Sequence, residues 1–130
     1  MCGHVGLAGS LAFKDEATLK RLLLLDYFRG TDSTGVASIR KDGEARIAKI
    51  ASHPIDLFDS KRYDKVNQGY QSLAFIGHNR AATKGKVNEQ NAHPYQYGHI
   101  VGAHNGTLTT ASWKDLNDAL GYETDVDSMA

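Results

Sequence analysis

Met1-Cys2-Gly3-His4-Val5-Gly6-Leu7-Ala8 opens the chain, and Cys2 is its only cysteine. Removal of Met1, which a small following side chain permits, leaves a thiol and a free α-amine on one residue. An α-amine has a reference pKa of about 7.7–8.0, so part of it is neutral at physiological pH and can take the thiol proton. N-terminal nucleophiles activated by their own amine are an established catalytic design. The plain alternative is a lone cysteine packed as a small buried apolar residue. Directly after it, His4 to Ala8 is short and apolar and reads as a buried strand.

Working outward, the 130 residues fit one domain or part of one. With 41% hydrophobic and 23% charged residues the chain reads as globular rather than disordered. Lys+Arg and Asp+Glu both number 15, and no basic block stands out, which argues against nucleic acid as a partner. A single cysteine forms no internal disulfide and points to a reducing, cytoplasmic setting. The start lacks the basic and apolar regions of a signal peptide. Leu22 to Leu25 is too short an apolar run to span a bilayer, so no membrane role is expected.

Asp15 is the predicted N-cap of a helix running through about Phe28, with Leu19, Leu22, Leu23 and Asp26 to Tyr27 on one face. Leu24 and Leu25 widen that face. Gly30 ends the helix, and Thr31 to Gly35 reads as a polar turn. Val36 to Arg40 and Ala45 to Ile50 form a predicted hairpin around Lys41-Asp42-Gly43. His53-Pro54 opens a second helix, roughly Ile55 to Gln68. Leu73 to His78 is a strand, and Asn79 to Ala92 a loop. Tyr95 to Tyr97 and Ile100 to His104 make a further hairpin turning at Gly98. Ser112 begins a last helix, with Asp115 three residues on, and Gly121 ends it. This mixed order predicts an α+β fold with mostly antiparallel sheets. The chain stops at Asp127-Ser128-Met129-Ala130 without a helix stop, and is expected to be one domain over 1–130 cut at its C-terminus.

Four polar, glycine-containing blocks sit at the ends of predicted elements. They are Arg29 to Gly35, Gly77-His78-Asn79-Arg80-Ala81-Ala82-Thr83-Lys84-Gly85, Asn91-Ala92-His93-Pro94, and His104-Asn105-Gly106-Thr107. Singly each reads as an ordinary loop or turn. In this order, behind Cys2-Gly3, they resemble the class II glutamine amidotransferases. Tyr27 to Gly35 is similar to that family's Tyr-Arg-Gly-Pro-Asp-Ser-x-Gly block, with one inserted aromatic and Thr31 in place of Pro. Gly77 to Gly85 resembles its Gly-His-x-Arg-x-Ala-Thr-x-Gly block. His4, Ala81 and Lys84 depart from the residues usual in the family.

The resemblance implies an N-terminal-nucleophile hydrolase αββα sandwich, of which this chain would hold the N-terminal part. It implies that Cys2 attacks the side-chain amide of L-glutamine. Asn105 and the Gly106 backbone N–H would serve the oxyanion. Arg80 would hold the substrate α-carboxylate bidentately, with Thr83 adding a hydroxyl. Asp127 would meet the α-ammonium, with Asp125 as the alternative if the register slips by two. Arg29 would brace the nucleophile, and His78, His93 and His104 would support the site. No cofactor is implied. The ammonia would pass to a separate synthase or acceptor protein.

Three other readings remain open on the sequence. One is a Cu(II) or Ni(II) site at a processed Cys-Gly-His terminus, with His78, His93, His99 and His104 as further ligands. Another is a catalytically inactive glutamine-binding or assembly module of the same fold. The last is an N-terminal-nucleophile amidase or peptidase acting on a different amide. Arg80 and Asp127 together favour a free amino acid over a peptide, because a peptide would leave one of them unpaired.

Overall fold

The computed structural model describes residues 1–66 and 72–107. The elements are β1 (Gly3–Ala8), α1 (Phe13–Asp26), β2 (Ser33–Arg40), β3 (Ala45–Ile50), α2 (Pro54–Phe58), α3 (Lys61–Val66), β4 (Ser72–Arg80), β5 (Tyr95–Tyr97) and β6 (Ile100–Gly102), with a 3₁₀ turn at Tyr27–Arg29 after α1. The helix expected from Ser112 to Gly121, and Asp125, Asp127 and Ser128, lie outside the described residues, as does Gln68.

Strands β1 to β4 form one antiparallel sheet in the order β1-β4-β2-β3. β4 runs antiparallel to both β1 and β2, so its end lies beside both of their starts. The register is Gly3 opposite Asn79 on one side and Ser33 opposite Arg80 on the other. Three sequence blocks far apart in the chain, at Cys2-Gly3, Arg29 to Gly35 and Gly77 to Gly85, therefore meet at one end of the sheet.

Alternation along the strands sorts the two faces. Val5, Val36, Ala48 and Phe75 join Leu19 and Leu23 of α1 and Leu57, Tyr63 and Val66 of α2 and α3 in the core. The opposite face presents His4, His78 and Lys49. The short β5–β6 hairpin approaches that face, with the Lys49 ammonium 4.8 Å from the Tyr95 ring centre. The result is a mixed α+β architecture built on an antiparallel sheet.

Several boundaries differ from the sequence reading, for physical reasons. Asp15 is not the N-cap of α1. Ala12 holds that position, and Asp15 sits one turn in, where its carboxylate accepts the Ala12 N–H at 2.7 Å. The buried stripe of α1 is narrower than expected, because Leu22 and Leu25 are exposed and Glu16 is buried instead. Glu16 is tolerated there because Lys20 pairs with it at 2.9 Å, and the same ammonium lies over the Phe58 and Tyr63 rings. The helix expected over Ile55 to Gln68 is two helices. Ser60 separates them, its hydroxyl oxygen accepting the Tyr63 N–H at 3.3 Å. The turn expected at Thr31 to Gly35 is shorter, because Ser33, Thr34 and Gly35 already pair with Arg80, Asn79 and His78. Small polar residues favour turns in isolation, and pairing against β4 overrides that preference. β4 likewise extends to Arg80, and β6 ends at Gly102 rather than His104.

Candidate active site

Cys2 sits at the mouth of β1 and is 7% exposed. The Ala81 backbone N–H donates to its sulfur at 3.3 Å, and the thiol lies 3.6 Å from the Ala81 carbonyl. Its own carbonyl accepts from Arg29 Nε at 3.4 Å and from Asn105 Nδ2 at 2.8 Å. Cys2 is thus held from three separate segments of the chain.

The Arg29 to Gly35 block positions the loop that follows β4. A Cβ at Gly30 would stand 2.5 Å from the Asn79 carbonyl oxygen and the Arg80 carbonyl carbon, so only glycine allows this approach. Asp32 donates its N–H to the Arg80 carbonyl at 3.0 Å, and its carboxylate accepts the Ala82 N–H at 2.7 Å. Asn79, fully buried, donates to the Leu23 carbonyl at 2.8 Å and to the Asp26 carboxylate at 3.1 Å. This ties the end of α1 to β4. Asp32 and Asn79 were not singled out among the candidate residues, although both stand inside the quoted blocks. Their partners are backbone groups and a remote carboxylate, which spacing in the sequence does not disclose.

A cavity of about 120 Å³ opens over the sulfur, lined by Met1, Cys2, Ala81, Thr83, Asn105, Gly106 and Thr107. Thr83 and Thr107 share a hydroxyl–hydroxyl hydrogen bond of 2.7 Å across it. Gly106 lies under the His104 imidazole, where a Cβ would meet Nε2 at 2.7 Å. Four of the candidate residues, Cys2, Thr83, Asn105 and Gly106, therefore converge. Arg80 does not line the cavity. It is fully buried, and its guanidinium donates to the carbonyls of Lys84 at 2.5 Å and Lys86 at 3.2 Å. A larger hollow of about 530 Å³ runs along β3 past Lys49, Arg62 and Tyr95, and contains none of the residues around Cys2.

Behind the cavity the histidines stack. The His4 and His78 rings are 4.9 Å apart, His78 and His93 are 4.3 Å apart and nearly parallel, and His93 and Tyr95 are 4.6 Å apart. His99 lies in the β5–β6 turn. Among the described residues, no three His, Cys, Asp or Glu side chains gather where they could hold a metal ion. No helix among them is long and apolar enough to cross a membrane.

Burial first, then the charges of Arg80, His104, Lys49 and His4, hold His93 down at about 3. His78 and Tyr95 complete the groups packed against it. Unfolded, a histidine takes a proton near 6.5. Stability contributed by neutral His93 is therefore complete above about 6.5 and is lost as pH falls from there towards 3. A slope of up to about 1.4 kcal/mol per pH unit is expected across that window. Urea titrations of the wild type and of His93→Asn at pH 7, 6, 5 and 4 check it. The variant should show a shallower decline, and parallel declines would remove His93 as the cause.

The family model for glutamine amidotransferases class-II matches residues 29–126, most of the chain. The chain belongs to the class II glutamine amidotransferases. Among curated proteins it resembles glutamine–fructose-6-phosphate aminotransferase (isomerizing) of Sulfurisphaera tokodaii, 38% identical over 125 residues, which covers 92% of this chain and 20% of that protein. The enzyme of the same name from Campylobacter jejuni is 38% identical over 125 residues, covering 95% of this chain and 19% of the relative. That of Acinetobacter baylyi is 36% identical over 138 residues, covering the whole chain and 21% of the relative. The chain thus spans about a fifth of the length of these relatives. The family match begins at Arg29, whereas the similarity to the Acinetobacter baylyi relative covers the whole chain.

Proposed function

We propose that this chain, once Met1 is removed, hydrolyses the side-chain amide of L-glutamine through a γ-glutamyl thioester on Cys2. The α-amine of Cys2 takes the thiol proton, and the sulfur attacks the amide carbon. The resulting oxyanion is received by Asn105 Nδ2 and the Gly106 N–H. The amine returns the proton to the leaving nitrogen, and ammonia departs. Water then attacks the thioester, giving glutamate and the free thiol. The ammonia is supplied to an acceptor or to a partner synthase, and the fold is the N-terminal part of an αββα sandwich.

The observation that carries this reading is the placement of the Asn105 amide. It bonds the carbonyl of the nucleophilic residue itself, at 2.8 Å, on the wall of a cavity that the Cys2 sulfur also lines. An amide nitrogen has two donors, so one can anchor Cys2 while the other serves the oxyanion. Intact mass before and after exposure to 6-diazo-5-oxo-norleucine tests it. Loss of Met1 and a single adduct on Cys2 is the expected result. A processed protein that forms no adduct would overturn the reading.

Arg80 favours a second reading, a glutamine-binding or assembly module without turnover. Its guanidinium is held by the Lys84 and Lys86 carbonyls and does not line the cavity over Cys2. On the catalytic reading, Arg80→Ala raises KM for glutamine by about tenfold or more while kcat changes by less than about threefold. Equal losses in both would assign Arg80 to holding the loop after β4 instead. Steady-state ammonia release at varied glutamine separates the two.

A further inference from the structure

We propose that His78 and His93 are positioning residues that clamp both backbone groups of His104 and so set the Asn105–Gly106 donors against Cys2. His104 donates its N–H to His93 Nδ1 at 3.0 Å, and its carbonyl lies 3.2 Å from His78 Nε2. Gripping both groups of one residue leaves its backbone little freedom to turn. The next residue is Asn105, whose amide reaches Cys2.

The two partners fix the tautomers. A carbonyl only accepts, so His78 carries its proton on Nε2. A backbone N–H only donates, so His93 Nδ1 is bare and its proton is also on Nε2. The rings stack at 4.3 Å with 15° between their planes, and both are buried. They act as one rigid block, one ring anchored on β4 and the other just ahead of β5. Burial and neighbouring positive charge keep His93 neutral far below ordinary pH, so its acceptor persists under working conditions. The departure of Asn105 from its place by even a small displacement is costly, because oxyanion donors act only when preorganised.

The clamp itself is independent of the chemistry, and its catalytic consequence rests on the reading given under Proposed function. Two substitution pairs test it in the full chain. Asn at position 93 keeps an acceptor near the Nδ1 site, and Leu removes it. Gln at position 78 keeps a donor near Nε2, and Leu removes it. Amide hydrogen exchange at His104 should quicken by about tenfold or more in His93→Leu and stay near the wild-type rate in His93→Asn. Glutamine hydrolysis should follow, with kcat down about tenfold or more in His93→Leu, KM within about threefold, and kcat largely restored in His93→Asn. His78→Leu and His78→Gln should repeat the pattern, and they carry the test if His93→Leu does not fold. Unchanged exchange at His104 in the Leu variants, or equal acceleration in the Leu and conservative variants, overturns the clamp. A wild-type protein without glutamine hydrolysis overturns the functional reading, while the exchange rates still decide the clamp.

Discussion

Cys2→Ala abolishes ammonia release from glutamine, a loss of more than about a thousandfold, and removes the adduct with 6-diazo-5-oxo-norleucine. Every bond-making step of the proposed reaction passes through the sulfur, and no other cysteine exists to replace it. The Cys2 carbonyl remains, so the Arg29 and Asn105 contacts persist and the cavity keeps its walls. Glutamine binding, measured by calorimetry, is therefore expected within a few-fold of the wild type. That combination separates a missing nucleophile from a collapsed site. Residual turnover within about tenfold of the wild type would mean that water is activated elsewhere, and the thioester would be withdrawn.

The same residue shows how far the sequence carried. A lone cysteine is ambiguous, and its meaning came from blocks that follow it by tens of residues. Composition and periodicity supplied the elements: the β2–β3 hairpin around Asp42-Gly43 and the helix carrying Leu19 and Leu23 formed close to where they were expected. The failures share a cause. Ser33 to Gly35 looked like a turn because local preference says so, yet β4 recruits them into the sheet. Leu22 and Leu25 were expected on the buried face of α1, yet Glu16 takes a place there, with Lys20 paired to it and lying over the Phe58 and Tyr63 rings. Strand β4 in the first case, and the Phe58 and Tyr63 rings in the second, are partners distant in sequence, which no local pattern contains.

The site divides along the same line. Cys2, Thr83, Asn105 and Gly106 were named from what the family resemblance of their blocks implies; the antiparallel register brings Cys2 beside the block that carries Thr83, and Asn105 reaches them through its bond to the Cys2 carbonyl. Arg80 was named for a substrate contact, while the structure turns its guanidinium to the loop after β4. The supporting bonds of Asp32 and Asn79, and the grip of two histidines on His104, go largely to backbone. Backbone partners leave no signature of residue type, so such contacts appear only once the strands are in register.

Asn105→Ala lowers kcat by about a hundredfold or more and leaves KM within about threefold, because the lost donor acts on a charge that exists only in the transition state. Asn105→Asp decides between this role and simple packing. Aspartate has the shape of asparagine but, when ionised, only accepts. It would face the Cys2 carbonyl at the 2.8 Å position with no hydrogen to offer, and would repel the oxyanion as well. The Asp variant should therefore be slower than the Ala variant, although it fills the site better. If packing were the whole role of Asn105, the order would reverse. The rate of labelling by 6-diazo-5-oxo-norleucine is expected to give the same ranking without turnover, since the sulfur displaces dinitrogen from the protonated diazo carbon while the adjacent ketone oxygen sits where the amide oxygen of glutamine would. An Asp variant that labels and turns over faster than the Ala variant would take Asn105 out of the oxyanion site and leave it a packing role alone.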